Sequence, residues 1–161
     1  MRERGLMRVA GIIVAAGRGE RAGGELPKQY RMLAGRRVLA WSVAAFAGAK
    51  ISPIVVMIAD GQSDLARPAL SGFPDVRTVI GGASRTASVR AGIAALADDA
   101  PDVVLIHDAA RPGLSVTTVE ELVRTLADGA AATAPALPFS DALKRVDGQG
   151  AVIRGEAREG L

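Results

Sequence analysis

Short apolar runs alternate along this chain with segments of helical spacing. Residues 9–15, VAGIIVA, are apolar without interruption and include β-branched side chains, as suits a strand covered on both faces. A second buried strand is predicted at 53–59, further strands at 76–80 and 103–107, and a fifth, rich in alanine, at 130–137. Helices are predicted over 38–47 around Trp41 and Phe46 with a stop at Gly48, over 62–70 with an interruption near Pro68, and over 86–97 on Val89, Ile93 and Leu96. A fourth runs from Thr117, where Thr117-x-x-Glu120 has the form of a capping box, to Asp128-Gly129. Residues 141–146 and 151–154 flank Asp147-Gly148 and predict a small hairpin.

Strands alternating with helices imply a mostly parallel sheet with helices on both faces. No internal repeat or linker interrupts the pattern, so one domain is expected over 1–161, with a core at 8–140 and a hairpin arm at 141–158. Ligands of such sheets sit beyond the carboxyl ends of strands. Three clusters that carry chemistry, 15–28, 81–88 and 107–112, each follow a predicted strand and are therefore expected on one rim.

In the first cluster the strand runs into Ala16-Gly17-Arg18-Gly19, whose minimal side chains let backbone N–H groups approach an anion. Arg18, Arg21 and Lys28 follow closely, which suits a polyphosphate. An ordinary glycine-rich turn accounts for one glycine pair, but not for the longer pattern with its spaced cations. A Walker A loop needs Gly-x-x-x-x-Gly-Lys-Ser/Thr, which does not occur here. Gly17-x-Gly19-x-x-Ala22 fits a dinucleotide fingerprint superficially, but Gly23, Gly24 and Pro27 would break the required helix. The acidic residue expected about 20 positions on is also missing from residues 36–43.

In the second cluster Gly81 and Gly82 allow the backbone to meet a flat base edge, and Ser88 adds a hydroxyl. Ser84 and Thr86 are also placed to cap the following helix, a role compatible with the first. In the third, Asp108 at a strand end suits Mg²⁺ beside a triphosphate, and Arg111 offers a planar fork for a phosphate monoester. An Asp108–Arg111 ion pair bracing the loop is the competing reading. His107, the only histidine, is read as packing or hydrogen bonding.

Ala15-Ala16-Gly17-x-Gly19-x-Arg21 followed by Pro27-Lys28-Gln29-Tyr30 resembles the signature loop of sugar-nucleotide pyrophosphorylase-type nucleotidyltransferases. The Pro-Lys-Gln-Tyr ending is similar to that of the cytidylyltransferases acting on methylerythritol phosphate. Gly81-Gly82-x-x-Arg85-x-x-Ser88-Val89 and His107-Asp108-Ala109-Ala110-Arg111-Pro112 resemble further elements of that family. The resemblance runs from about Val9 to Leu161. It implies a Rossmann-like, three-layer α/β fold of the nucleotide-diphospho-sugar transferase type. It also implies transfer of CMP from CTP to 2-C-methyl-D-erythritol 4-phosphate, with release of pyrophosphate, in non-mevalonate isoprenoid biosynthesis.

Residue by residue, the resemblance implies Arg21 and Lys28 as catalytic groups and Ala15, Ala16, Gly17, Gly19, Gly82, Ala83, Arg85 and Ser88 as the CTP site. It implies Arg111, Asp108 and Arg158 around the acceptor's phosphate, Asp108 as ligand to Mg²⁺ or another divalent cation, and a homodimer through the 141–158 arm. Asp141-Ala142-Leu143-Lys144 departs from the family's Asp-Thr-x-Lys and lacks a hydroxyl assigned to acceptor binding. A ribitol or glycerol phosphate cytidylyltransferase shares the first and third elements and is the nearest alternative. A non-catalytic nucleotide-binding module is the alternative of another class. Family members continue with a Thr-Pro-Gln segment, further strands and a second lysine, some into a fused cyclodiphosphate synthase domain. A C-terminally incomplete catalytic domain, poorly active alone, is therefore expected.

Composition narrows the setting. With 161 residues, 49% of them hydrophobic, and a mean hydropathy of +0.24, the chain can bury a sizeable core and is not of disordered type. Aromatics are only 3%, so Ala, Val, Leu and Ile must build that core. The lack of cysteine excludes disulfides, thiolate metal sites and a cysteine nucleophile. A net charge of +3 and a pI of 9.9 would suit nucleic acid, but the cations are scattered and too few aromatics exist for a stacking platform. The charged N-terminus is no signal peptide, and no apolar run approaches the ~20 residues that span a bilayer. A cytoplasmic protein without nucleic-acid or membrane partners is expected.

Overall fold

The apolar runs at 9–15 and 53–59 supply the two middle strands of a sheet, and those at 76–80 and 103–107 supply its more exposed edges. The computed structural model describes residues 7–17, 26–138 and 140–157. Its elements begin with β1 (Val9–Val14), a single 3₁₀ turn (Lys28–Tyr30), the short antiparallel pair β2 (Met32–Leu33) and β3 (Arg36–Arg37), and α1 (Val38–Gly48). They continue with β4 (Ile54–Ile58), α2 (Ser63–Leu70), β5 (Arg77–Ile80), α3 (Arg85–Ala95), β6 (Val103–Asp108) and α4 (Val116–Ala127). The hairpin of β7 (Leu143–Val146) and β8 (Val152–Glu156) comes last.

The main sheet has the order β5-β4-β1-β6, with every neighbouring pair parallel. The chain winds outward from β1 through β4 to β5, then returns to place β6 on the other side of β1. Strand order therefore reverses at β1, the switch point where open α/β sheets leave a crevice. The register pairs Val14 with Asp108, so β1 and β6 end level with each other at that crevice.

Side chains leave β1 alternately to the two faces, as the pleat requires. Ile13 and Ala15 join Leu39, Val43, Phe46, Val56, Ile58 and Val119 in a core beneath α1, α2 and α4. Ala10 and Ile12 join Val55, Met57 and Leu96 in a second core beneath α3. At Gly92 a Cβ would stand 3.0 Å from both Ile12 and Met57, so the missing side chain is what lets α3 settle onto the sheet. Helices on both faces of a parallel sheet give the three layers expected.

Three local expectations are corrected. Helix α2 passes through Pro68 to Leu70 without interruption, because Ala66 and Ala69 on either side are anchored in the core. The cap of α4 is Ser115, whose Oγ accepts from the Thr118 N–H at 3.0 Å; the Thr117 box lies inside the first turn. Residues 130–137 form no strand: they pair with nothing in the sheet, and Leu137 is 92% exposed. Alanine is a poor strand former, and an extended segment without a ladder partner gains nothing from its backbone groups. The hairpin forms as expected, with Asp147 Oδ1 accepting from the N–H groups of Gln149 and Ala151, each at 2.9 Å.

At the far end of the sheet Asp102 ties β1 to β6, accepting from the Arg8 N–H at 2.8 Å and from its guanidinium. Those hydrogen bonds hold the Asp102 carboxyl below its ordinary value of 3.8. A carboxylate lowered in the folded state adds stability above 3.8 and loses it as pH falls through the lower folded value. Both groups are solvent-exposed, so the effect is small. Asp102→Asn should lower the thermal midpoint slightly at neutral pH, and the gap to the parent should close in acid. A gap that persists below the depressed value, in melts followed by circular dichroism, would contradict this.

Candidate active site

The loop that leaves β1 is held from two sides. The Ala15 N–H donates to Met57 O at 2.8 Å, prolonging the ladder by one residue. Beyond it, the side chain of Gln29 takes over, its Nε2 donating to Ala15 O at 2.7 Å and to Gly17 O at 2.9 Å. Both partners are carbonyls, so the amide must turn its nitrogen toward them. Gln29 is only 4% exposed and belongs to the 3₁₀ turn that also carries exposed Lys28. Tyr30, fully buried behind it, has its phenol pushed up to about 12 by burial.

The loop after β5 meets this cradle directly. Gly81 donates its N–H to Ile58 O at 2.8 Å and then lies so close to the first loop that a Cβ would stand 2.5 Å from Ala16 Cβ and 2.7 Å from Ser88 Oγ. The Ser88 hydroxyl is buried, accepting from Gly82 N–H at 3.1 Å and donating to Ser84 O at 3.0 Å. Ser84 caps α3, its Oγ accepting from Ala87 N–H at 3.1 Å. Ser88 thus shapes the Gly81–Gly82 turn from below.

Asp108 closes the rim from the β6 side. Arg85, the first residue of α3, places Nε 2.9 Å from Asp108 Oδ1, and Arg111 places Nε 3.3 Å from Oδ2. The bracing ion pair foreseen with Arg111 exists, and Arg85 joins it from the first turn of α3. Beneath, Ala109 N–H donates to Val14 O at 3.0 Å, and buried Ser42 on α1 donates to Ala109 O at 3.3 Å. His107 Nε2 lies 3.0 Å from Arg111 O, and its ring sits 6.0 Å from that of Phe46. Burial lowers the His107 pKa below its ordinary value of 6.5, partly offset by the Arg111 carbonyl, so the ring is neutral near neutrality. That agrees with a packing and hydrogen-bonding role.

The three clusters therefore converge, as their positions after β1, β5 and β6 demanded. Ala15, Ala16, Gly17, Gly81, Gly82, Arg85, Ser88, Asp108 and Arg111 belong to one connected rim, and Lys28 is tied to it through its neighbour Gln29. Ala83 lies in the same β5–α3 turn. Gly19, Arg21 and Arg158 lie outside the described residues. Gln29 and Ser42 were not singled out from the sequence. The available signal was a polar residue in an otherwise buried turn or helix face.

A family model described as IspD, 2-C-methyl-D-erythritol 4-phosphate cytidylyltransferase, matches residues 9–161. The chain belongs to that family. The 2-C-methyl-D-erythritol 4-phosphate cytidylyltransferase of Cereibacter sphaeroides is 50% identical over 161 aligned residues, covering 96% of this chain and 69% of that protein. A bifunctional IspD/IspF enzyme of Hyphomonas neptunium is 44% identical, covering 86% of this chain but 36% of its own length. The chain thus spans about a third of such bifunctional relatives. Among solved structures, the 4-diphosphocytidyl-2C-methyl-D-erythritol synthase of Anaerococcus prevotii superposes with a TM-score of 0.79 at 25% identity, covering 96% of this chain and 67% of that one. Another synthase of the same name gives 0.80 at 27% identity, covering 97% and 71%. The mostly parallel α/β fold is therefore shared with these synthases.

For this family's rim, the separation of the first two loops is the sensitive dimension. Gly81→Ala would drive a methyl into Ala16 and Ser88, an overpacking that costs about 1–3 kcal/mol. The variant should melt lower than the parent. An unchanged midpoint in melts followed by circular dichroism would show that the contact between Gly81 and Ala16 can absorb a methyl without cost.

Proposed function

We propose that this chain carries the nucleotidyl-transfer centre of a cytidylyltransferase that moves CMP from CTP onto 2-C-methyl-D-erythritol 4-phosphate and releases pyrophosphate. The observation that carries the reading is the joined rim, in which Asp108 pairs with Arg85 and Arg111 beside the Gln29-held Ala15–Gly17 backbone. Membership of the IspD family supports the choice of substrates.

In this reading an oxygen of the acceptor's phosphate attacks the α-phosphorus of CTP, and the bond to the pyrophosphate leaving group breaks. A phosphate oxygen is already a competent nucleophile, so no strong general base is required. Catalysis then rests on alignment and charge neutralisation. The main chain at Ala15, Ala16, Gly17 and Gly19 receives the phosphates, and Arg21 and Lys28 stabilise the crowded, negative phosphorus. Gly82, Ala83, Arg85 and Ser88 receive the base side of the nucleotide. Arg111 and Arg158 take the acceptor's phosphate.

Among the described residues no group of three or more His, Cys, Asp or Glu is gathered for a metal ion. A lone carboxylate at the rim does fit Mg²⁺, which commonly takes one or two carboxylates and completes its shell with substrate phosphates and water. When bound, Mg²⁺ would neutralise the triphosphate. Asp108 would hold it, leaving Arg85 and Arg111 to bind phosphate oxygens. Exposed ion pairs are worth up to about 1 kcal/mol, so this exchange of partners is cheap.

The β7–β8 hairpin is the proposed homodimer contact. It exposes Val146, Val152 and Ile153 and pairs only with itself among the described residues, and a lone two-stranded hairpin is marginal in water. No helix among the described residues is long and apolar enough to cross a membrane. The use of CTP, with the lack of cysteine, supports a cytoplasmic setting.

Pyrophosphate release with CTP, Mg²⁺ and a panel of methylerythritol, ribitol and glycerol phosphates tests the proposal. Methylerythritol phosphate should be the preferred acceptor, and preference for another would reassign it. Lys28→Ala should lower kcat by about 10²-fold or more, the scale of losing one transition-state contact, with the fold retained. Turnover close to that of the parent would remove Lys28 from the reaction.

A further inference from the structure

We propose that Gln29 is the positioning residue of the nucleotide cradle, its buried amide setting the main-chain direction at Ala15–Gly17 and tying the Lys28 turn to the same frame. The inference rests on the reading of residues 15–17 as a nucleotide cradle, and adds what holds that cradle in shape. Both Nε2 protons of Gln29 are committed, one to Ala15 O at 2.7 Å and one to Gly17 O at 2.9 Å, across 14 and 12 positions of sequence.

The consequence follows from peptide geometry. In a trans peptide the C=O and the next N–H belong to one rigid plane and point in opposite directions. Drawing the Ala15 carbonyl inward onto Gln29 therefore turns the Ala16 N–H away from the amide. The same side chain thus satisfies a carbonyl past the strand end and presents a donor for an anion. Without it, two carbonyls next to the phosphate path would be left to turn outward, and oxygen lone pairs facing a polyphosphate repel it.

Lys28 is the residue before Gln29 in a 3₁₀ turn closed by the Tyr30 N–H on Pro27 O at 2.9 Å. Holding Gln29 against the loop therefore also fixes where the Lys28 side chain starts. Gln29 touches no reacting atom, so its effect is on nucleotide affinity and loop order rather than on the chemistry itself.

Gln29→Met keeps length and bulk and removes both donors. Gln29→Asn keeps the amide but is one methylene short of spanning both carbonyls, and serves where the first variant fails to fold. In ligand-free protein, backbone ¹⁵N order parameters at Ala16 and Gly17 should fall in both variants while those of β1 and α1 hold. In calorimetry, Mg·CTP affinity should drop about tenfold or more for Gln29→Met, in line with two lost hydrogen bonds, and less for Gln29→Asn. Unchanged loop order would overturn the proposal, as would loosened loops with parental affinity. A lower melting temperature with order and affinity intact would make Gln29 merely structural and overturn it too. Failure of the parent itself to bind Mg·CTP would sink the nucleotide reading instead, and the order parameters would still decide whether Gln29 holds the loop.

Discussion

A parallel strand that ends inside a protein leaves carbonyls with no ladder partner, and each must be satisfied or exposed. The rim of this chain depends on how that demand is met after β1. Ala15 still takes one ladder bond through its N–H to Met57, but its carbonyl has run past the neighbouring strand. Gln29 satisfies it, together with the carbonyl of Gly17. With the carbonyls turned inward, main-chain donors are available outside, which is what the proposed phosphate cradle requires. The parallel register then adds the β6 carboxylate at the same level, because Val14 and Asp108 are partners.

The polar part of the rim is built differently from its foundations. Ser42, Gln29 and Ser88 are buried and hydrogen-bonded to main-chain groups, so removing any of them strands a polar partner. The Arg85–Asp108–Arg111 cluster, by contrast, is partly solvent-exposed and contributes little to stability. Groups that change partners when a charged ligand arrives, as proposed for Asp108, Arg85 and Arg111, are best held weakly. Groups that set the geometry are best held by bonds that are expensive to break. The division between buried amides and hydroxyls below and exposed charges above follows that logic.

Much of this was legible in the sequence. The uninterrupted apolar runs at β1 and β4 identify buried parallel strands, because only a doubly covered strand needs both faces apolar, whereas the similar run at β6 lies at the edge of the described sheet with Ile106 exposed. From strand–helix alternation, the convergence of residues after β1, β5 and β6 follows without any contact being known. What escaped was tertiary in origin. Residues 130–137 carry strand-like spacing, but a strand exists only with a partner, and local pattern says nothing about the partner. Ser115 and Thr117 are both plausible caps by composition, and the choice depends on where the β6 loop releases the chain. Gln29 was visible as part of a motif, yet its role depends on a turn folding back across 12 residues to meet a loop.

A core poor in aromatics has a further consequence for the site. Phe46, one of its few buried aromatics, lies over Gly11 in the middle of β1, where a Cβ would come within 2.5 Å of the ring. The same ring faces His107, and His107 in turn reaches the Arg111 carbonyl. A continuous line of contact thus runs from the sheet's centre, through one aromatic and one neutral imidazole, to the loop carrying the arginine proposed for the acceptor. Burial keeps that imidazole uncharged, so it braces the loop without repelling Arg111 or adding a charge beneath Asp108. A missing side chain at Gly11, deep inside the sheet, thus makes room for the ring that packs beside the histidine, and the histidine meets the main chain of the arginine loop.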